Sequence, residues 1–361
     1  MGIKANHLVS KLNIKYPIVQ APMAGGPSTP ALAAAVSNAG GLGSLGVGYL
    51  SPADIRQEIR KTRTLTSAPF AVNLFIQPNK IAIEDEPLEK ALHLLDPYKK
   101  ELGLSNSLSF PQPFAEDYEK QIEAVLSEQS PIFSFTFGIP AKEIIKECKE
   151  AGIILIGTAT HIEEAQALEE AGIDIICAQG GEAGGHRGTF IGEAKDALIG
   201  TLSLIPQLVD AVRIPVLASG GIMDGRGIVA ALALGASGVQ MGTAFLLCPE
   251  SGSNAGYRTL LNTKKAYETA VTRAFSGRAA RGIKNRFIIE MEEHEADIPP
   301  YPIQNALTKE IRQAAVKQGR FDLLSIWAGQ AAGLIRQLSA AQLIEHLVLE
   351  MERTLHQLHR L

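Results

Sequence analysis

Eight short apolar runs rich in β-branched residues recur along the chain, and most lead into a stretch of helical periodicity. They are 16–21, 42–47, 70–76, 132–137, 153–158, 174–179, 215–219 and 238–243. Nearly continuous apolar strands are what a parallel sheet covered on both faces requires. The helical stretches between them include 30–39, 52–60, 141–151, 162–171 and 225–234. Thr29 and Ser51 stand where helix caps belong, and Gly40, Gly152, Gly172 and Gly235 where helices stop. Eight such units predict an α/β fold, a (β/α)8 TIM barrel, which takes about 250 residues. An open doubly wound sheet shares the periodicity, but the count of eight favours closure.

The chain has 361 residues, so the barrel leaves a surplus. One part, 77–131, carries two charged helical segments around the Pro-rich turn Phe110-Pro111-Gln112-Pro113. The other, 249–310, follows the eighth run and mixes helix with Arg286-Phe287-Ile288-Ile289, which reads as extended. Long insertions at the C-terminal ends of barrel strands shape the mouth of the site. The expected division is therefore a barrel from 1–248 and 311–361, with 249–310 a smaller inserted lid. Residues 311–361 read as terminal helices, the last opened by a Ser339/Gln342 capping box.

Composition narrows the function. A net charge of −4, with no basic cluster, argues against a nucleic-acid partner. Cys148, Cys177 and Cys248 are an odd set without metal-type spacing, and read as reduced thiols. No apolar run reaches the ~18 residues of a membrane span. The first six residues show neither a signal-peptide core nor, with Asn6 in place of Ser or Thr, a myristoylation pattern. The expectation is a soluble cytoplasmic protein acting on small molecules, with no nucleic acid, membrane or metal, and with a homo-oligomer left open.

The motifs gather at the ends of the apolar runs. Gly41-Leu42-Gly43-Ser44-Leu45-Gly46 spells a dinucleotide fingerprint, but it follows a helix and lies within a strand, the reverse of the required context. The segment Gln179 to Gly188 surrounds Glu182 and His186 with five glycines directly after the sixth run. Such density marks backbone approaching a ligand. His186 there is a candidate acid, base or hydrogen-bond donor, titrating near the ~6.5 reference value of histidine. Ser219-Gly220-Gly221-Ile222 and Gln240-Met241-Gly242-Thr243 end the seventh and eighth runs, where barrels of this kind bind phosphate. Gln20-Ala21-Pro22-Met23 ends the first, and the thioether of Met23 could touch a flat ring. Asn73, inside the third run, needs a polar partner, either a ligand edge or a barrel neighbour.

These segments, with Ala280 to Phe287 and Trp327-Ala328-Gly329-Gln330, resemble the nitronate monooxygenase family of FMN-dependent barrels, formerly 2-nitropropane dioxygenases. The resemblance implies oxidation of alkyl nitronates, propionate 3-nitronate among them, by O2 to a carbonyl compound and nitrite. It implies FMN at Asn73, Gln179, Gly184, Gly221 and Gln240 to Thr243, and extends the cofactor site to Gln20, Ala21, Pro22, Met23, Gly185, Ser219 and Gly220. The catalytic His corresponds to His186. Enoyl-acyl-carrier-protein reductases and NADH:quinone reductases share the Glu182–His186 core and form the alternative, an NAD(P)H-dependent FMN reductase. The Ala280–Phe287 and Trp327–Gln330 segments favour the nitronate branch.

Overall fold

The computed structural model describes residues 7–77, 84–105 and 113–360. Strands β1 (Ile18–Gln20), β2 (Gly43–Gly46), β3 (Phe70–Phe75), β4 (Ile132–Thr136), β5 (Ile154–Ala159) and β6 (Ile175–Gln179) come first. A two-residue strand, β7 (Gly185–His186), intervenes before β8 (Val216–Ser219) and β9 (Gly238–Met241). All but β7 form one parallel sheet in the order β1-β9-β8-β6-β5-β4-β3-β2. Its two edges meet: the Gln20 N–H donates to the Leu42 carbonyl at 2.8 Å, and the Leu42 N–H to that of Ile18 at 2.9 Å. The chain is a TIM barrel.

Strand periodicity divides the apolar residues between two cores. Ile18, Val72, Phe133, Leu155, Ile176 and Ala218 pack with the surrounding helices. Alternate positions Val19, Ala71, Ile132, Ile156, Ile175 and Leu217 form a separate cluster with Leu8 and Leu12. Those two leucines come from helix His7–Leu12, which the sequence reading did not foresee. The expected helices stand at Pro30–Asn38, Lys142–Glu150, Ile162–Glu170 and Gly225–Ala233, while Pro52–Leu65 runs a turn further than anticipated. Thr29 and Ser51 cap as expected, accepting from the N–H of Leu32 and Asp54. Gly43 lies in β2 against helix Pro30–Asn38, where a Cβ would collide with the Ala33 carbonyl. Close packing therefore accounts for the glycines of the fingerprint look-alike.

A further hydrophobic cluster unites Leu88, Leu92 and Leu95 of helix Asp85–Glu101 with Phe275, Phe287, Ile311, Leu324 and Ala332. Glu101 pairs with Arg286 at 2.5 Å and Arg320 at 2.6 Å, and Tyr98 donates to Glu290 at 2.8 Å. The run Arg286–Ile289 is not extended. It opens helix Arg286–Glu292, because the Asn285 side chain accepts from the Ile288 N–H and caps the first turn. Residues 106–112, with most of the Pro-rich turn, lie outside the described residues. The Ser339/Gln342 capping box opens helix Ala340–Leu358 as expected, but 319–339 is short 3-10 turns and loop rather than helix.

Candidate active site

Residues 269–283 reach the barrel mouth as a hairpin. Strands β10 (Thr269–Thr272) and β11 (Ala280–Ile283) pair antiparallel, and β11 pairs in turn with β7. Ala280 stands opposite His186 and Arg281 opposite Gly185. The hairpin tip thereby brings Ser276 to the imidazole, whose Nε2 lies 2.8 Å from the Ser276 Oγ. On the barrel side, the Gln179 amide holds the same loop. Its Nε2 donates to the His186 carbonyl at 2.9 Å, and its Oε1 accepts from the Gly188 N–H at 2.8 Å.

A cavity of about 1170 Å³, counting its open mouth, lies at the C-terminal ends of the strands. It is lined by Ala21, Pro22, Met23, Asn73, Gln179, Gly184, Gly185 and His186, and by Ser219, Gly220, Gly221, Gln240, Met241, Gly242 and Thr243. Gln20 stands outside it, fully buried, with its Oε1 accepting from the Ser44 N–H at 2.8 Å and its Nε2 donating to the Ser28 Oγ at 3.1 Å. Its place is in the strand packing beneath the turn, because a buried amide must satisfy both ends. Asn73 lines the cavity and donates to the Ser134 Oγ at 3.0 Å, so it has the intra-barrel partner. Gln240 donates to the Cys177 Sγ at 3.1 Å; burial pushes that thiol up to about 12, so it is neutral.

Two loops close on one another at the rim. The Gln330 N–H donates to the Glu182 carbonyl, and the Gly329 N–H to the Thr243 Oγ1 at 3.0 Å. A Cβ on Gly184 would sit 2.5 Å from the Ala328 and Gly329 backbone, so only glycine fits this crossing. Glu182 is structural: its carboxylate accepts from the N–H and hydroxyl of Thr201 at the start of helix Thr201–Ala211. Among the described residues, no acceptor takes the N–H of Gly221, Gly242 or Thr243. Three free donors among the residues lining one cavity suit an anion.

His186 is walled by rings. Trp327, Phe137, Phe75 and Tyr301 have centroids 5.4, 5.9, 6.3 and 6.3 Å from its own. Phe137 holds φ +77°, an unusual conformation for a bulky residue, with the Arg278 guanidinium 3.8 Å over its face. Burial, with the charges of Arg278 and Arg312 nearby, pushes the imidazole down to about 3. The expectation of titration near the reference value is thus corrected: the ring is neutral at physiological pH. Among the described residues, both guanidiniums donate to carbonyl and amide oxygens rather than to carboxylates.

Phe75 and Phe137 are legible in retrospect, since each lies at the C-terminal end of a barrel strand. Ser276, Arg278, Tyr301 and Arg312 carried no such signal. They come from the insertion and the helix after it, and no short-range pattern joins them to His186.

The nitronate monooxygenase family model matches residues 6–350. A probable nitronate monooxygenase of Staphylococcus haemolyticus is 48% identical over 97% of this chain and 98% of its own length. The crystallised nitroalkane oxidase of Streptomyces ansochromogenes superposes with a TM-score of 0.90 at 41% identity, covering 97% of this chain and 99% of that one. FabK of Thermotoga maritima follows at 0.77 and 32%, covering 98% of each chain. The chain is an oxidoreductase that belongs to the nitronate monooxygenase family.

Proposed function

We propose that this chain binds FMN and oxidises alkyl nitronates with O2, giving a carbonyl compound and nitrite, and that His186 lets it accept neutral nitroalkanes as well. The observation that carries this reading is the conjunction of an uncharged imidazole and a cluster of free amide donors in one cavity. The residues present fit the cofactor. The N–H groups of Gly221, Gly242 and Thr243 would take its phosphate, and Asn73, Gln179, Gly184 and Gln240 would line the rest. One such cradle among the described residues, with no pyrophosphate fingerprint in context, favours FMN over FAD. Bound flavin would supply the electron acceptor that couples substrate oxidation to O2. We also assign 249–310 the role of a wall over the site, since it supplies Ser276, Arg278 and Tyr301.

A nitroalkane must first lose its α-proton. The C–H bond breaks, its electron pair moves into the nitro group, and a new N–H bond forms on His186. Arg278 and Arg312 oppose the resulting imidazolium but attract the nitronate formed beside it, so their field weighs little against the transfer as a whole. The aromatic walls would lower the dielectric around the ion pair, which strengthens both terms. A nitronate arrives without that proton and needs only binding.

The test is an aerobic assay of native protein and of His186→Asn, following nitrite and O2 with a nitronate and with the matching nitroalkane. The native protein should use both. Loss of a general base is worth ~10²–10⁴-fold, and that loss should fall on the nitroalkane far more than on the nitronate. Equal losses on both would make His186 a positioning residue. Rapid anaerobic bleaching of the flavin by NADH or NADPH, with no nitrite from either substrate, would move the chain to the reductase alternative.

A further inference from the structure

The Ser276 hydroxyl has three polar neighbours. The His186 Nε2 lies at 2.8 Å, the Arg278 carbonyl oxygen at 3.1 Å, and the Arg278 N–H approaches the same Oγ at 3.3 Å. Ser276 is buried. A hydroxyl has one proton to give and two lone pairs to receive with. The Arg278 N–H can only donate, and the Arg278 carbonyl can only accept. If the hydroxyl proton went to His186, the Oγ would face the carbonyl oxygen with lone pair against lone pair. If it goes to the carbonyl, all three contacts are satisfied, provided the imidazole donates from Nε2. Buried polar groups settle into the arrangement that satisfies them all.

From this geometry we propose that Ser276 is a positioning residue that fixes His186 as the Nε2–H tautomer, which makes Nδ1 the nitrogen that receives the substrate proton. Among the described residues Nδ1 has no hydrogen-bond partner, so its lone pair is uncommitted. Proton transfer breaks the substrate C–H bond and forms Nδ1–H, its electron pair passing to the nitro group. The imidazolium then keeps Nε2–H on Ser276, and the Arg278 carbonyl holds the serine proton throughout, so nothing in the relay must reorient. The inserted hairpin thus does more than cover the mouth: from 90 residues away it sets which ring nitrogen is basic. The step rests on His186 being the base; the tautomer does not.

The experiment is nitrogen NMR on holoprotein labelled with 15N-histidine, with the His186 signals identified by their loss in His186→Asn. The native protein should show one tautomer, protonated at Nε2, across neutral pH. Ser276→Ala should give a mixture of both, and Ser276→Thr, which keeps the hydroxyl, should restore the single form. In kinetics, Ser276→Ala should lower kcat on a nitroalkane by about tenfold with KM little changed, and by less on the nitronate, since one hydrogen bond is at stake. A native ring protonated at Nδ1 overturns the proposal without any variant. A Nε2–H tautomer that survives unmixed in Ser276→Ala removes Ser276 from the role. Equal losses on both substrates in His186→Asn, beside the expected spectra, would end the base reading and leave the tautomer assignment standing.

Discussion

His186 is an uncharged ring because of what surrounds it. In the unfolded chain it titrates near ~6.5, whereas in the folded protein burial, Arg278 and Arg312 hold it down at about 3. As pH falls between those values the unfolded chain takes up a proton that the folded chain refuses. The stability is therefore fully present above ~6.5 and is lost toward pH 3, by roughly 1.4 kcal/mol per pH unit. Two outcomes follow from one cause. Urea midpoints of the native protein should fall more steeply below pH 6.5 than those of His186→Asn. The acid limb of kcat/KM on a nitroalkane should pass through pH 6.5 without an inflection. A clear inflection there in the ligand-free limb would show that His186 is not held neutral. The sequence located this residue from its glycines and its place after the sixth run, but not its charge state. That depends on two guanidiniums which only the tertiary fold brings near.

Elements were legible where one local rule decided them. Strands buried on both faces announce themselves by continuous apolar runs, and Thr29, Ser51 and Ser339 marked helix starts that the structure keeps. Arg286–Ile289 failed because two rules conflicted: Ile288 and Ile289 favour strand, while Asn285 favours a cap. The cap prevails because Asn285 also anchors outward, its Nδ2 donating to the Leu324 carbonyl at 2.7 Å. Helix His7–Leu12 was missed because six residues are too few for periodicity to register. The cap reading has a direct check. Asn285→Ala removes the acceptor for the Ile288 N–H and the tie to Leu324, at a cost of about 1–2 kcal/mol. Hydrogen exchange of the amides in Arg286–Glu292 should then speed up about tenfold. Asn285→Asp, which keeps the cap acceptor but loses the Nδ2 donor, should fall between. Unchanged exchange in the alanine variant would mean that packing of Phe287, Ile288 and Met291 alone holds the helix.

At the scale of the whole molecule, the free amides lie where the barrel meets the segments that cross its rim. Gly221 follows β8, Gly242 and Thr243 follow β9, and Thr243 is tied to Gly329 of the crossing loop. An anion bound there would add a tie between neighbouring strand ends and the crossing loop, so its binding energy becomes stability of the folded protein. The sequence could place these glycines at strand ends that line the cavity, because the apolar runs before them are local features. It could not foresee the crossing loop, since the approach of Gly184 to Ala328 and Gly329 has no short-range signature. Gly221→Asp tests the cradle. Gly221 has φ +70°, a conformation that Asp tolerates better than most residues, and its Cβ would stop 3.4 Å from that of Glu182. The barrel should therefore fold, with unchanged far-UV circular dichroism, while a carboxylate stands among the donors proposed to take the phosphate. The variant should purify without flavin. Added FMN at a hundred times its Kd should stabilise stripped native protein by about 2.7 kcal/mol, visible as a higher Tm, and leave the variant's Tm unmoved. Native protein that carries FAD, or a Gly221→Asp variant that retains FMN at full stoichiometry, would refute the single-phosphate cradle.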